Sequence, residues 1–376
     1  MMRGKKMFKR FYLFIKRKKD IMHSFNRNLA YMSSGTYAYD NSIKYIMRCD
    51  RYTIDKANEI FQKNYYQILI RFVILLLRKM VFNQKIRISE FHNKTDNFSG
   101  CVYRPVRSIT GYNDSRIFDF HHNKVLTIFA TKDDFHSVLN NNEYFKDYFP
   151  LPKILWIDET NLLIMEELIQ FQQYSNWQSK DYLYIIQEIF NRYLDYFNDC
   201  KQKGNISYKS PESFLWEGSE SHEIKSILNE IHPILLNMNY PCLKLHGDLW
   251  TANIMLIKKA TNQICMIDWE YANVYLFFYD FFNLMWLEVY VNNNEFYIYH
   301  YMDGEMDTYF EKVFALFDLT FHKEYRLDYL YIFFLNFYKE RVLSLHKSER
   351  HKFINRFKKT IGLLKKGSEQ KQKLSQ

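Results

Sequence analysis

The stretch "KLHGDLWTANIM", residues 244–255, sets His-Gly-Asp directly after a short apolar run and an Asn five positions after the Asp, where an apolar run begins again. A second apolar run, "ICMID" (264–268), follows "NIMLI" (253–257) across the link "KKATNQ". Strands joined so closely pair antiparallel. The start of the first strand then lies beside the end of the second, so Asn253 and Asp268 are expected at one end of a hairpin. Asp248 is expected on a loop approaching that same end. An amide oxygen and a carboxylate, completed by water and phosphate oxygens, suit a hard cation such as Mg2+. A further carboxylate that need not bind the ion can accept a proton from an attacking hydroxyl. Taken singly, Asp248 reads as a turn residue and Asn253 and Asp268 as the ends of strands. Taken together they read as equipment for phosphoryl transfer.

Composition bounds what such a site can sit in. A chain of 376 residues is long enough for two lobes and a sizeable core, and 47% hydrophobic with 19% aromatic residues excludes a disordered or collagen-like chain. The five cysteines, Cys49, Cys101, Cys200, Cys242 and Cys265, are odd in number and scattered, with no C-x-x-C pair. That argues against a disulfide framework or a zinc site and fits a reducing cytoplasm. The start "MMRGKKMFKRFYLFIKRKKD" has too short an apolar run for a signal peptide. The later run "ILIRFVILLL" (68–77) is broken by Arg71 and followed by Arg78, short of the ~20 apolar residues of a membrane span, and reads as a buried helix.

The formal net charge of +10 is unevenly placed. Residues 1–20 carry nine Lys/Arg against one Asp, and residues 347–376 carry ten against two Glu, so the body between them is mildly acidic. Such tails read as solvated arms, or as peripheral contacts to an anionic membrane. Nucleic acid is not an expected partner.

Along the chain, residues 24–85 carry apolar residues at helical spacings, and residues 1–95 read as a basic tail with a helical extension. Strand-like runs follow at 100–109, 115–120 and 124–130, separated by turn residues, as in an antiparallel meander. A helix is expected over about 132–147, then a hairpin of "KILWI" and "LLIME", then helices up to the opening stretch. This is an α+β order: a small sheet first, helices second.

"HGDLWTAN" fits the kinase catalytic-loop pattern H-x-D-L-x-x-x-N, and "IDWE" falls where the metal-binding D-F-G is expected. With Gly after His and Trp-Glu after the second Asp, the chain resembles the aminoglycoside phosphotransferase and choline kinase-like families over about residues 96–345. The resemblance implies a two-lobed protein-kinase-like fold, with an N-lobe at 96–166, a catalytic C-lobe at 167–346 and a basic tail at 347–376. It also implies roles: Asp248 as the catalytic base, Asn253 and Asp268 as metal ligands, and His246 packed beneath the loop. Asp280, in "YDFFNLMW", is similar to the Asp that anchors the catalytic loop, with an ordinary helix cap as its other reading. Backbone groups near Met165 and Glu167, in "LLIMEEL", would receive adenine. Trp250 and Trp269 read as core or cleft-wall aromatics.

Two positions depart from the family pattern. Relatives carry V-L-K-I-F in the third strand of the small lobe, where this chain has "VLTIF" with Thr127 in place of the phosphate-gripping Lys. Arg116 and Lys124 are the alternative cations, with Glu143 as a helix partner. Only Gly111 marks the turn "ITGYNDSR", so no G-x-G-x-x-G loop is present. There is no Ala-Pro-Glu after Asp268 and no Arg after His246, which points away from a protein substrate. The expected activity is transfer of the γ-phosphoryl of ATP or GTP, with Mg2+, to a hydroxyl of a small molecule: an aminoglycoside, an amino alcohol or a sugar or glycan precursor. Glu270, Glu288, Asp303 and Glu305 line a cleft for a cationic acceptor or, on the plainer reading, lie on surface helices. The alternative for the whole chain is a non-catalytic nucleotide-binding scaffold, motivated by Thr127.

Overall fold

The computed structural model of the chain describes residues 16, 18–40, 45–61, 85–89, 101–107, 113–214, 222–257 and 263–374. They divide into two units, one within Met1–Glu143, Leu151–Gln173 and Ile257–Thr261, the other within Tyr144–Pro150, Tyr174–Leu256 and Asn262–Gln376. The run 68–77 and the glycine turn at Gly111 lie outside the described residues.

The first unit is built on an eight-stranded antiparallel sheet. Its strands are Gly35–Asp40 (β1), Tyr45–Arg48 (β2), Lys85–Ile88 (β3), Cys101–Arg107 (β4), Asn113–Asp119 (β5), Lys124–Ile128 (β6), Ile154–Asp158 (β7) and Leu163–Glu167 (β8), in the order β3-β1-β2-β4-β5-β6-β8-β7. A two-residue strand, Phe171–Gln172 (β9), follows. The meander β4–β5–β6 and the hairpin β7–β8 stand where the turn residues predicted them.

The segment before the meander differs from expectation. Helix forms at residues 18–27 (α1) and at Arg51–Ile60 (α2), but β1, β2 and β3 are strands. The reason is non-local: β2 pairs with β4 through Ile46↔Tyr103 and Met47↔Val102, so the extension pairs an otherwise open sheet edge. Within β1, Tyr37 and Tyr39 alternate inward and are buried, a period-two pattern that the helical spacings around it obscured.

Each sheet face has its own core. On one, Ile21 and Phe25 of α1 pack on Tyr37, Tyr103, Ile117, Leu126 and Leu163. On the other, Ala57 of α2 packs with Val102, Phe118 and Val125, and Phe135 of the helix Lys132–Phe145 (α3) packs on Phe129 and Ile164.

The second unit is mostly helical. Its long helix Ser179–Lys203 (α4) buries a stripe of Ile185, Ile189, Tyr193, Tyr196 and Cys200, and ends at Gly204 in the left-handed conformation. Helices Tyr279–Leu287 (α5), Asp307–Leu316 (α6) and Arg326–Phe337 (α7) form its core, with Phe190 and Phe281 stacked at 4.0 Å. Between α4 and α5 run Ser207–Lys209 (β10), Tyr240–Leu245 (β11), Ile254–Ile257 (β12), Ile264–Met266 (β13) and Asn273–Leu276 (β14). β11 lies between β10 and β14, while β12 pairs with β13.

The basic C-terminal segment is a further correction. Residues Lys347–Leu374 form a helix (α8) that buries Ile354, Phe357, Ile361 and Leu364, with Phe357 stacked on Phe334 at 3.8 Å. The apolar residues recur at helical spacing between the lysines, so one face packs while the charges stay outside. Among the described residues, no helix is long and apolar enough to cross a membrane.

Candidate active site

The buried strand β11 ends at Leu245, and the chain turns at once. Gly247 makes the turn with φ +76°, and a Cβ there would stand 2.5 Å from the Tyr271 carbonyl oxygen and 2.6 Å from the Tyr275 ring. A side chain is therefore excluded both by conformation and by space. That is the physical reason for His-Gly-Asp.

Asp280, in the first turn of α5, holds this turn. Its Oδ2 accepts the His246 N–H at 2.8 Å and the Tyr193 hydroxyl at 2.5 Å, and its Oδ1 accepts the Gly247 N–H at 2.9 Å. It anchors the loop and caps no helix, since the residue before α5 is Phe278. Burial pushes its carboxyl up to about 6, against the pull of those three donors.

His246 is structural. Its Nε2 lies 2.9 Å from the Ile267 carbonyl and its Nδ1 accepts the Asp248 N–H at 3.2 Å, an arrangement that needs a neutral ring donating from Nε2. Burial lowers its pKa to about 4. The buried Trp269 lies against it, with ring centroids 4.5 Å apart.

The hairpin closes as its sequence predicted. Ile254 pairs with Met266, and the Ile267 N–H donates to the Asn253 carbonyl at 3.0 Å, which sets Asn253 and Asp268 at one end. Asn253 Nδ2 donates to the Asp248 carbonyl at 2.8 Å and to Asp248 Oδ2 at 3.1 Å. Asp268 adopts the left-handed conformation, φ 60° and ψ 56°, as the chain leaves β13, and its charge helps raise the Asp248 pKa. Among the described residues there is no group of three or more His, Cys, Asp or Glu able to hold a metal ion. The candidate donors are instead one amide and one carboxylate, a sparse set that suits a cation keeping waters and phosphate oxygens.

Sequence reasoning missed Arg341. Its Nη2 donates to Asp248 Oδ1 at 2.8 Å and its Nη1 to the Gly247 carbonyl at 3.0 Å, while its guanidinium lies 3.8 Å from the Tyr271 ring centroid. Burial raises the Asp248 pKa, and Arg341 and Asn253 oppose that rise. No local pattern in "YKERVL" signals the role. Glu288 is also placed anew: it is buried, not on a helix surface, and accepts from Thr251, Asn292 and Asn294, so it braces the loop. Asp303 and Glu305 are exposed.

The nucleotide-side candidates lie in the first unit. Arg116 stands directly across from Thr127, so the two side chains share a sheet face. Lys124, three residues from Thr127, points to the other face and stands across from Glu167. Glu143 is exposed. Met165 packs with the core of the α1 face, and the Glu167 N–H donates to the Lys153 carbonyl at 3.0 Å. Beside them, Val125 is paired with Glu166, and the face it shares with Phe118 and Val102 is covered by α2 and by Phe61, whose ring meets Phe118 edge-on at 5.1 Å.

Residues 222–310 match the model of the phosphotransferase enzyme family. That span contains His246, Asp248, Asn253, Asp268 and Asp280. No curated protein matches the chain. Among solved structures, choline kinase LicA from Streptococcus pneumoniae is similar, with 14% identity over 70% of this chain and 93% of that one, at a TM-score of 0.41. A putative aminoglycoside phosphotransferase from Ralstonia eutropha JMP134 shows 10% identity over 70% and 91%, at 0.44. Amicoumacin kinase hAmiN, solved with AMP-PNP, Ca2+ and Ami, shows 12% over 69% and 87%, at 0.38. At these scores the superpositions are partial, and the match over residues 222–310 carries the assignment. By that catalytic segment the chain is similar to the phosphotransferase enzyme family, and the segment is that of a small-molecule kinase.

Proposed function

We propose that the protein transfers the γ-phosphoryl group of ATP or GTP to a hydroxyl of a small molecule, with Asp248 as the base and Mg2+ held by Asn253 and Asp268. The observation that supports this reading is the hydrogen bonding of Asn253 to Asp248 on the catalytic turn, with Asp268 at the same end of the hairpin as Asn253. Both hydrogen bonds of Asn253 Nδ2 go to Asp248, which leaves Oδ1 as the atom it offers a cation. A divalent cation there supplies charge neutralisation for the phosphates. Asp248 orients the acceptor hydroxyl and takes its proton as the oxygen attacks, while Asp280 and His246 keep the turn from relaxing. Gly111, Arg116 or Lys124, and the backbone near Met165 and Glu167 are the proposed nucleotide contacts. Arg116 is favoured over Lys124 because it shares the Thr127 face.

The acceptor is an aminoglycoside, an amino alcohol or a sugar or glycan precursor. A screen of nucleotide consumption across these classes, with Mg2+, tests the reading. Turnover that is lost in Asp248→Ala and in Asp268→Ala supports it, and turnover unaffected by either change refutes the site. The absence of a Lys at Thr127 favours a second reading, a non-catalytic nucleotide-binding scaffold, for which the same screen gives nucleotide binding without turnover. The basic termini support peripheral contact with an anionic membrane, and vesicle co-sedimentation with and without residues 1–20 tests that contact.

A further inference from the structure

Arg341 reaches the catalytic turn from far along the chain. It sits in the π-helical turn Tyr338–Val342 that continues α7, and it touches two consecutive residues of the loop at once. We infer that Arg341 is a positioning residue for phosphoryl transfer, holding the Asp248 carboxylate in the orientation that meets the acceptor hydroxyl. This rests on the kinase reading above.

Three observations support the inference. First, the two carboxylate oxygens of Asp248 are held from opposite partners, Oδ1 by Arg341 at 2.8 Å and Oδ2 by Asn253 at 3.1 Å. Each carboxylate oxygen accepts two hydrogen bonds, so both keep room for a hydroxyl. Second, the bond from Nη1 to the Gly247 carbonyl ties the backbone at the same point, so the side chain cannot swing without dragging the turn. Third, the Arg341 guanidinium is itself fixed by stacking on Tyr271, and the paired side chains are each only 22% exposed. Arg326, by contrast, pairs with Asp307 and joins α6 to α7. A lysine could supply charge but not the fork that binds a carbonyl and a carboxylate together.

The test uses the full chain with Arg341→Met and Arg341→Lys. Amide hydrogen exchange at residues 246–249 reads the positioning itself, and steady-state kinetics read its consequence. In Arg341→Met, exchange at these residues rises and kcat falls about tenfold to a hundredfold, the scale of a slightly misplaced catalytic group, while both KM values stay within about threefold. Added guanidinium restores part of the lost kcat in Arg341→Met and does nothing for the unaltered chain. Arg341→Lys falls between the two. A kcat within about twofold of the unaltered chain overturns the inference, as does a loss that guanidinium and Lys both fail to restore. If the unaltered chain transfers no phosphoryl group, the kinase reading fails separately. Unchanged exchange at 246–249 in Arg341→Met then overturns the inference by itself.

Discussion

The Asp280 carboxylate accepts the backbone N–H of Gly247 at 2.9 Å across 33 residues of chain, and with its other oxygen the N–H of His246. One buried side chain thus satisfies two donors that the tight turn cannot pair within itself. Asp280→Ala leaves both, and the Tyr193 hydroxyl, unpaired in a dry site, at a cost of about 1–3 kcal/mol for each orphaned group. The expected outcome is a lower melting temperature together with lost turnover. Preserved stability in a thermal melt would show that the anchor is dispensable.

Asp248→Asn keeps the shape of the side chain but cannot take the hydroxyl proton. Its kcat is expected to fall by about 10²–10⁴-fold, the usual contribution of a general base, with a melting temperature near that of the unaltered chain. Asp268→Ala is expected to abolish turnover and to weaken Mg2+-dependent nucleotide binding. Nucleotide binding measured over a Mg2+ titration separates the two, since only Asp268→Ala shifts the Mg2+ requirement.

Gly247→Ala forces a Cβ to within 2.5 Å of the Tyr271 carbonyl oxygen at a positive φ. Backbone strain of this type costs about 1–3 kcal/mol, and the overlap adds to it. The expected result is a drop of several degrees in melting temperature and loss of turnover. An active, equally stable variant would contradict the geometry of the turn.

His246 sets a pH dependence whose sign follows from its direction of shift. Its folded pKa is depressed, from 6.5 to about 4, so the unfolded chain binds its proton first. Its contribution to stability is complete above pH 6.5 and is lost as pH falls toward 4, by about 3 kcal/mol at 1.36 kcal/mol per unit. Asp280 runs the other way: raised from 3.8 to about 6, it costs stability as pH rises through that window. The two slopes oppose each other in the unaltered chain. Urea unfolding of the unaltered chain and of His246→Asn should give a stability difference that grows from pH 4 to 6.5 and then levels off. A difference constant with pH would mean that the ring is not held neutral.

Phe61 and Ala57 cover the sheet face of Val102, Phe118 and Val125, next to the backbone proposed for the base of the nucleotide. Phe61→Ala uncovers that face and is expected to lower the KM for the nucleotide severalfold with little change in kcat. A raised KM would make Phe61 part of the base site instead.

Local sequence carried the central hairpin and its three side chains, because each depends on neighbours within about twenty-five residues. An apolar strand, a short link and a second apolar strand leave only antiparallel pairing, and that alone brings Asn253 to Asp268, with Asp248 on the adjoining turn. The meander β4–β5–β6 and the hairpin β7–β8 followed from turn residues and period in the same way. What tertiary structure decided depends on contacts between distant segments. The crowding of Gly247 by Tyr271 and Tyr275, the clasp of Arg341 on Asp248, the edge pairing that makes strands of residues 35–40 and 45–48, and the docking of α8 through Phe357 all need the partner in place first. A side chain's hydrogen-bonding capacity is written in its residue type. Which group receives it is settled only when packing brings the two together and water is removed.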